Sequence, residues 1–259
     1  MYGAIIGDFA GSIYEYDQFK KIRTINANSI LKENSFYSDD TILTIAILDA
    51  IISDGSYEEY LKKYINKYMN YVPDFFPYFK TAFSPGILKW KDSNCTGKSI
   101  GNGAMMRISS VGYLFNSEDE IIKQTELATV PSHNSDEAIT YATKVALMIY
   151  YFRNGLSRKE VYSRLNINLE YNPFKVFNTT CSETFGNCMY SLYYSDSFVS
   201  AIKNTIQMGG DTDTNCAIVG SIAEAIYGVD NYLKDYVNLK LPQEFVTVLR
   251  KAQGYPKIL

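Results

Sequence analysis

Apolar residues recur at helical spacing along most of the chain, and clear alternation of apolar and polar positions is absent. The apolar residues that would share one helical face after position 134 are Ile139, Ala142, Val145, Ala146 and Ile149. The run "TILTIAILDAII" at 41–52 is apolar on nearly every side. Its length favours a buried helix over a buried strand. The pattern predicts an all-α fold.

Helix start and stop signals accompany these runs. Four pairs place a capping side chain three residues before a glutamate: Ser56 with Glu59, Ser117 with Glu120, Asn134 with Glu137, and Ser157 with Glu160. In this reciprocal arrangement each side chain accepts a hydrogen bond from a backbone N–H that the first helical turn leaves unpaired. Gly155 and Gly228 follow helical runs and are typical helix stops. These signals predict several separate helices.

Small residues within a helical run, two irregular stretches and the lack of a repeat favour one compact domain. Small residues within 215–227, such as Ala217, Gly220 and Ser221, would let that helix approach its neighbours closely. Residues 17–37 and 71–99 are irregular and rich in Asn, Ser, Pro and aromatics, which predicts long ordered loops of the kind that often carry function. No repeat of fixed period is present. We expect a single multi-helix, bundle-like domain over residues 1–259.

Composition narrows the class of protein. Apolar residues make up 46% of the chain and charged residues 20%, an ordinary globular balance. The net charge is −3 and the Lys and Arg residues are dispersed, so nucleic acid is not an expected partner. Asp8 interrupts the apolar N-terminus and no run is long enough to span a membrane, so we expect a cytoplasmic protein, with a monomer as the default. The 4 cysteines form no CxxC pair, which disfavours a zinc knuckle.

Two acidic clusters each precede an apolar helical run. One is "SDDT" at 38–41 and the other is "GGDTDT" at 209–214. Either cluster alone could be a helix cap, because free N–H groups at a helix N-terminus favour carboxylates. If the two helix starts face each other, their carboxylates would repel strongly and a cation would be needed to hold them together. Oxygen ligands select Mg²⁺, Mn²⁺ or Ca²⁺, and two ions sharing an acid are plausible.

The spacing from Asp211 to Asn215 also matches the start of an EF-hand calcium loop. That loop requires glycine at its sixth position and glutamate at its twelfth, where this chain has Cys216 and Ile222. An EF-hand is therefore excluded.

A glycine-rich stretch, "KSIGNGAMMR" at 98–107, lacks the full pattern of a P-loop or a dinucleotide fingerprint. It still combines backbone N–H groups, a hydroxyl and positive charge, which could hold a pyrophosphate. A tight loop between helices is the alternative interpretation.

Two single residues have open roles. His133, the only histidine, immediately precedes a helix start where phosphate or ribose oxygens could bind, although a lone histidine is more often structural. Glu15 ends an apolar N-terminal run. It could be solvent-exposed, a metal ligand, or a general acid or base whose pKa is tuned by burial.

Taken together, these segments resemble the ADP-ribosylglycohydrolase family. The matching stretches, in chain order, are "GAIIGDFAGSIYE", "YSDDT", "GNGAMMR", "SH" and "GGDTDTNCAIVGSIAEAIYG", and they span residues 3–228. The final stretch is specific to this family. Its combination with an upstream "SDDT" is more specific than the final stretch alone. The resemblance implies an all-α fold with a two-metal centre, Mg²⁺ or Mn²⁺, at the base of a cleft.

The resemblance also implies roles for individual residues. The catalytic residues would be Glu15, Asp39 and Asp40, with Glu15 in proton transfer. The metal ligands would be Ser38, Asp39, Asp40, Asp211, Asp213 and Thr214. The substrate-binding residues would be Ser99, Gly101, Asn102, Gly103 and His133.

The implied activity is hydrolysis of the glycosidic bond between ADP-ribose and an acceptor, either an ADP-ribosylated protein side chain or a small ADP-ribose conjugate. The alternatives are an inactive relative that binds ADP-ribose or is structural, and a two-metal nucleotide phosphohydrolase. Some family members stack adenine on aromatic residues in and before the glycine-rich loop, where this chain has Ile100 and Asn94. We therefore expect an adenine contact from elsewhere, such as a Phe or Tyr of 71–83.

Overall fold

The chain forms helices in the computed structural model, which describes residues 1–15, 29–73, 81–173 and 177–255. The helices in these ranges are α1 (Tyr2–Ser12), α2 (Asp39–Ile52), α3 (Tyr57–Tyr68), α4 (Pro85–Lys91), α5 (Gly103–Met106), α6 (Ser109–Leu114), α7 (Glu118–His133), α8 (Asp136–Arg153), α9 (Arg158–Arg164), α10 (Cys181–Tyr193), α11 (Phe198–Met208), α12 (Thr212–Tyr227), α13 (Asn231–Lys240) and α14 (Gln243–Gln253). The described ranges contain no strand, only isolated bridges between Lys98 and His133 and between Gly101 and Thr180. The predicted all-α fold is confirmed.

The helix starts follow the capping signals, with one shift. Ser56, Ser117 and Ser157 are the N-caps of α3, α7 and α9, as predicted. The reciprocal arrangement is present in full only at Ser157 among the predicted pairs, because at Ser117 the Glu120 carboxylate instead accepts a hydrogen bond from Gln124.

The predicted cap at Asn134 is wrong. The hydroxyl of Ser135 accepts from the Ala138 N–H and caps α8, so the helix begins one residue later than the motif indicated. The stop signals are confirmed: Gly155 and Gly228 both have positive φ angles, at 84° and 71°, which glycine adopts without a Cβ penalty.

The prediction of a long loop over 71–99 is partly wrong. Residues 85–91 form α4, because the Ser84 hydroxyl accepts from the Ile87 N–H and Pro85 occupies the first turn, where its missing N–H costs nothing. Residues 16–28 and 74–80 lie outside the described residues. Residues 29–38 are irregular, and Tyr37 stacks on Tyr71 with 4.5 Å between ring centroids.

Helices α1 and α12 approach each other at backbone contact distance. A Cβ built on Gly7 would stand 2.0 Å from the carbonyl oxygen of Cys216, and one built on Gly220 would stand 2.2 Å from that of Gly3. Only glycine fits this contact, as expected for Gly220 from its small-residue run. The contact brings the end of α1 beside the start of α12.

Helix α2 lies at the centre of the molecule. All of its residues are buried except Asp39, Asp49 and Ile52, which confirms the predicted buried helix at 41–52. It packs against α1, α3 and α14, and its apolar residues are buried along the whole helix except at Ile52. Over the described ranges, no helix combines the length and apolar character needed to cross a bilayer.

Candidate active site

A cavity of about 550 Å³ opens between the starts of α2 and α12 and the glycine-rich loop. All the site residues predicted from the sequence line it: Glu15, Ser38, Asp39, Asp40, Ser99, Gly101, Asn102, Gly103, His133, Asp211, Asp213 and Thr214. Residues far apart in the chain therefore share one space.

The acidic side chains form two overlapping groups at one end of the cavity. Carboxylate oxygens of Asp8, Asp40 and Asp213 all lie within 4.8 Å of one another, and so do those of Glu15, Asp211 and Asp213. Asp213 belongs to both groups. Three helices supply these acids, since Asp8 lies on α1, Asp40 on α2 and Asp213 on α12.

Asp8 is the acid that the sequence did not assign to the site. It is fully buried, and its carboxylate accepts hydrogen bonds from the Ser38 N–H (2.9 Å), the Ser38 hydroxyl (2.9 Å), the Thr41 N–H (3.0 Å) and the Thr41 hydroxyl (2.5 Å). Asp8 therefore binds the first turn of α2 from a neighbouring helix. The sequence signal that could have identified Asp8 is its position as a charged residue inside a short apolar helix.

Hydroxyl groups link the two acidic clusters. The Ser38 hydroxyl accepts from the Asp40 N–H at 3.2 Å and so caps α2. The Thr214 hydroxyl donates to Asp40 Oδ2 at 3.1 Å, which joins the start of α12 to that of α2. Asp39 is half-buried at the cavity wall.

Asp211 immediately precedes α12, but its side chain forms no capping hydrogen bond. Its Oδ2 instead accepts from Nδ2 of Asn102 at 2.8 Å. Gly209 and Gly210 before it both have φ of 76°, a left-handed conformation that requires glycine and turns the chain from α11 into α12. The two glycines thus allow the turn that aims the acids at the cavity.

The close carboxylates change one another's protonation. Removal from water raises the pKa of Asp39, Asp40 and Asp211 well above the ordinary value, and the charge of Asp213 raises each further. The same two causes raise the pKa of Asp8 to about 7. Protons or a cation must offset this repulsion.

The donor set fits a hard divalent cation. Asp40 Oδ1 is buried and has no hydrogen-bond partner among the described residues, although a buried carboxylate oxygen is costly to leave unpaired. Carboxylate and hydroxyl oxygens are the ligands that Mg²⁺ and Mn²⁺ prefer. The overlap of the two acidic groups at Asp213 would suit two ions.

The glycine-rich loop forms the adjoining wall of the cavity, where its Asn102 contacts Asp211. The Asn102 N–H donates to the Thr179 carbonyl at 2.9 Å, and the Cys181 N–H donates to the Ile100 carbonyl at 2.9 Å. A Cβ on Gly97 would stand 2.3 Å from the Ser132 carbonyl oxygen, so the loop lies directly against the end of α7. These contacts hold the loop beside His133.

Aromatic side chains complete the cavity. Phe83 lies within the 71–83 segment expected to contact adenine, and it lines the cavity, whereas Tyr71 is stacked on Tyr37. Trp90 and Phe177 also line it, and neither was assigned from the sequence. Phe177 lies too far from the glycine-rich loop in the chain for a local motif to have identified it, whereas Trp90 stands in the aromatic-rich 71–99 stretch just before that loop.

The helical fold and its acid-lined cavity define a class of α-helical proteins with a candidate metal site. The model of the ADP-ribosylglycohydrolase family matches residues 1–254, and the chain belongs to that family. Membership makes the protein an enzyme, a hydrolase of the ADP-ribosylglycohydrolase type, as the resemblance predicted.

Individual relatives are distant in sequence, and the share of each chain that matches varies. The chain is 21% identical over 305 residues to ADP-ribosylhydrolase ARH3 of Mus musculus, covering 88% of this chain and 82% of that protein. It is 24% identical over 143 residues to the ADP-ribosyl-(dinitrogen reductase) glycohydrolase of Rhodospirillum rubrum, and this match covers 51% of this chain and 47% of that protein. A solved structure described as an ADP-ribosylglycohydrolase-related protein complex matches with a TM-score of 0.69 over 96% of both chains. At 13% identity, that structure supports the fold alone.

Proposed function

We propose that the protein is a divalent-metal-dependent hydrolase that releases ADP-ribose from an ADP-ribosylated protein side chain or a small ADP-ribose conjugate, and so reverses ADP-ribosylation. The observation that carries this proposal is the convergence of carboxylates from α1, α2 and α12 at one end of a cavity whose adjoining wall is a glycine-rich loop. The family and its relatives support the substrate kind.

Two Mg²⁺ or Mn²⁺ ions would be held by Ser38, Asp39, Asp40, Asp211, Asp213 and Thr214. When bound, such ions would orient ribose hydroxyls and offset the negative charge of the acids. Asp8 is better placed as a supporting residue than as a ligand, because both of its oxygens already accept hydrogen bonds from the first turn of α2. Second-layer groups of this kind orient metal ligands.

The remaining cavity residues would contact different parts of the substrate. Glu15 would transfer the proton, because it is the matched acid outside both "SDDT" and "GGDTDT" and its carboxylate lies within 4.8 Å of those of Asp211 and Asp213. Water would add its hydroxyl to the ribose C1″ carbon and its proton to the leaving group, through an oxocarbenium-like transition state. Ser99, the glycine-rich loop and His133 would bind the diphosphate side, and Phe83 and Phe177 would contact adenine.

The decisive experiment measures free ADP-ribose released from serine-linked and arginine-linked ADP-ribosyl peptides, with Mg²⁺ or with EDTA. The variants are Asp211→Ala and Glu15→Gln, and Asp119→Ala serves as the matched control because Asp119 is exposed on α7. We expect metal-dependent release that both site variants lose and the control retains. The preferred peptide would identify the linkage.

The other outcomes separate the alternatives. Binding of ADP-ribose without release from any conjugate would favour a binding relative. Release of AMP or phosphate in place of ADP-ribose would favour a nucleotide phosphohydrolase. Full turnover by Glu15→Gln with metal bound would refute the assignment of proton transfer to Glu15.

A further inference from the structure

A buried chain of hydrogen bonds ends at the Nδ1 atom of His133. Arg107 directly follows α5, and Ser132 and His133 end α7. Nη2 of Arg107 donates to the Ser132 hydroxyl oxygen at 2.7 Å, and that oxygen lies 2.7 Å from His133 Nδ1. All three side chains are buried.

The chemistry of the donors sets the direction of this chain. A guanidinium group can only donate, so the Ser132 oxygen accepts from Arg107. Among the described residues, Nδ1 is the one acceptor within hydrogen-bond distance of the Ser132 hydroxyl, so that hydroxyl donates its proton to Nδ1. Nη2 of Arg107 also lies 3.5 Å from Nδ1. A proton on Nδ1 would therefore be repelled by two donors, the Ser132 hydroxyl and Arg107 Nη2. A lone pair on Nδ1 can instead accept hydrogen bonds from them. A neutral ring in this setting carries its proton on Nε2.

The surroundings also keep the ring neutral. Burial lowers the pKa of His133 well below the ordinary value, and the Arg107 charge lowers it further. Burial lowers the pKa of Arg107 to about 10, which leaves the guanidinium charged at neutral pH. The imidazole is the group that gives up its charge.

The Nε2 atom faces the glycine-rich loop. A Cβ built on Gly101 would stand 3.5 Å from Nε2, and one built on Gly103 would stand 3.6 Å from it. The ring's hydrogen bonds within the described ranges are made through Nδ1, not through Nε2. Because His133 lines the cavity, the Nε2–H group is left for a ligand that lies against this loop.

We propose that Arg107 and Ser132 are positioning residues that hold His133 as the neutral Nε2–H tautomer, so that Nε2 donates a hydrogen bond to a phosphate oxygen of bound ADP-ribose. A phosphate oxygen only accepts hydrogen bonds, so the opposite tautomer would present a lone pair to it and repel it. The ligand in this proposal rests on the proposed function, whereas the tautomer does not.

The cost of burying Arg107 supports a dedicated role. Its Nη1 atom is buried without a hydrogen-bond partner among the described residues, and a buried charge with an unpaired donor is destabilising. An apolar residue would fill the same space more favourably. The hydrogen bond to Ser132 and the charge interaction with Asp39 are what an apolar residue could not supply.

The single histidine makes the tautomer directly measurable. Long-range ¹H–¹⁵N correlation spectra of the ¹⁵N-labelled full chain at neutral pH would show one imidazole pattern without assignment. The variants are Ser132→Ala, which removes the relay hydroxyl, and Ser132→Thr, which retains it. Ser110→Ala is the matched control, because its buried hydroxyl has no hydrogen-bond partner among the described residues.

We expect wild type and Ser110→Ala to show a pyridine-type Nδ1 and a pyrrole-type Nε2. Ser132→Ala should show a mixture of tautomers, and an even mixture would reduce ADP-ribose affinity about twofold, because only the Nε2–H form can donate to the phosphate. Ser132→Thr should restore the wild-type pattern. A charged, Nδ1-protonated or evenly averaged ring in wild type would overturn the proposal even if no variant folded, and so would an unchanged tautomer in Ser132→Ala.

The ligand arm uses ADP-ribose and, as a phosphate-free comparison, adenosine. We expect ADP-ribose to shift the Nε2–H proton and adenosine to leave it in place. If the ring is the Nε2–H tautomer but ADP-ribose binds without moving that proton, the donor role is overturned while the proposed function stands. Failure of the proposed function would instead appear as absent ADP-ribose release in the peptide assay.

Discussion

The glycine contact between α1 and α12 gives the sharpest test of how this fold assembles its acids. Gly7 immediately precedes Asp8, and its position faces the Cys216 carbonyl on α12. We expect Gly7→Ala to destabilise the protein, although alanine is the better helix former. The added methyl group would have to force apart the two helices that bring Asp8 and Asp213 together.

The magnitude follows from the distance. The built Cβ stands 2.0 Å from a backbone oxygen, whereas real Cβ contacts are essentially never shorter than 3.0 Å, and a backbone atom cannot rotate away. Overpacking of this kind costs about 3 kcal/mol at the upper end of its usual range. The gain in helix propensity offsets about 1 kcal/mol of that. The net loss of about 2 kcal/mol should lower Tm by roughly 4 to 8 °C.

Calorimetric unfolding of wild type and variant would measure this loss, with Gly186→Ala as the matched control. Gly186 also lies within a helix, α10, but a Cβ there meets no atom within 4 Å. The control should therefore gain up to about 1 kcal/mol in the free energy of unfolding. A Gly7→Ala variant that is as stable as wild type would refute the inference that α1 and α12 require backbone contact.

Three further predictions concern the acids. Asp8→Asn removes a negative charge beside Asp40, so calorimetric titration should show Mg²⁺ affinity reduced about 10- to 100-fold; unchanged affinity would contradict a supporting role for Asp8. In EDTA, Tm should fall as pH rises from about 4 to about 7, because the pKa of Asp8 is about 7 in the folded protein against 3.8 ordinarily. Over that range the folded form holds a proton that the unfolded chain has already lost, so rising pH favours the unfolded chain. Mg²⁺ should reduce that fall, and a stabilisation by Mg²⁺ that did not grow with pH would count against a cation at the acids. Asn102→Asp places a second carboxylate against Asp211, so ADP-ribose release should drop about tenfold or more, and normal release would exclude Asn102 as a partner of Asp211.

Local sequence was enough to predict the class of fold, and local motifs together with the family resemblance identified the acidic and glycine-rich parts of the cavity lining. Capping residues such as Ser157 and stops such as Gly228 act within a few residues of themselves, so their effect can be read without knowing the rest of the molecule. The same signal at Thr180, three residues before Glu183, begins α10 and could also have been found, whereas Ser197 begins α11 with Ser200 in place of the glutamate. The roles of the acids as metal ligands and of Glu15 in proton transfer stay predictions.

The tertiary structure decided which of these elements meet. Every residue of α1 is buried, so its apolar pattern has no polar face and could not indicate the direction in which Asp8 points. Whether Asp8 binds the start of α2 depends on the glycine contact with α12, more than 200 residues away in the chain. In the same way, Arg107, Ser132 and His133 meet only because the glycine-rich loop lies against the end of α7. Periodicity and capping describe each helix by itself, whereas these contacts depend on how separate helices pack, which no local pattern specifies.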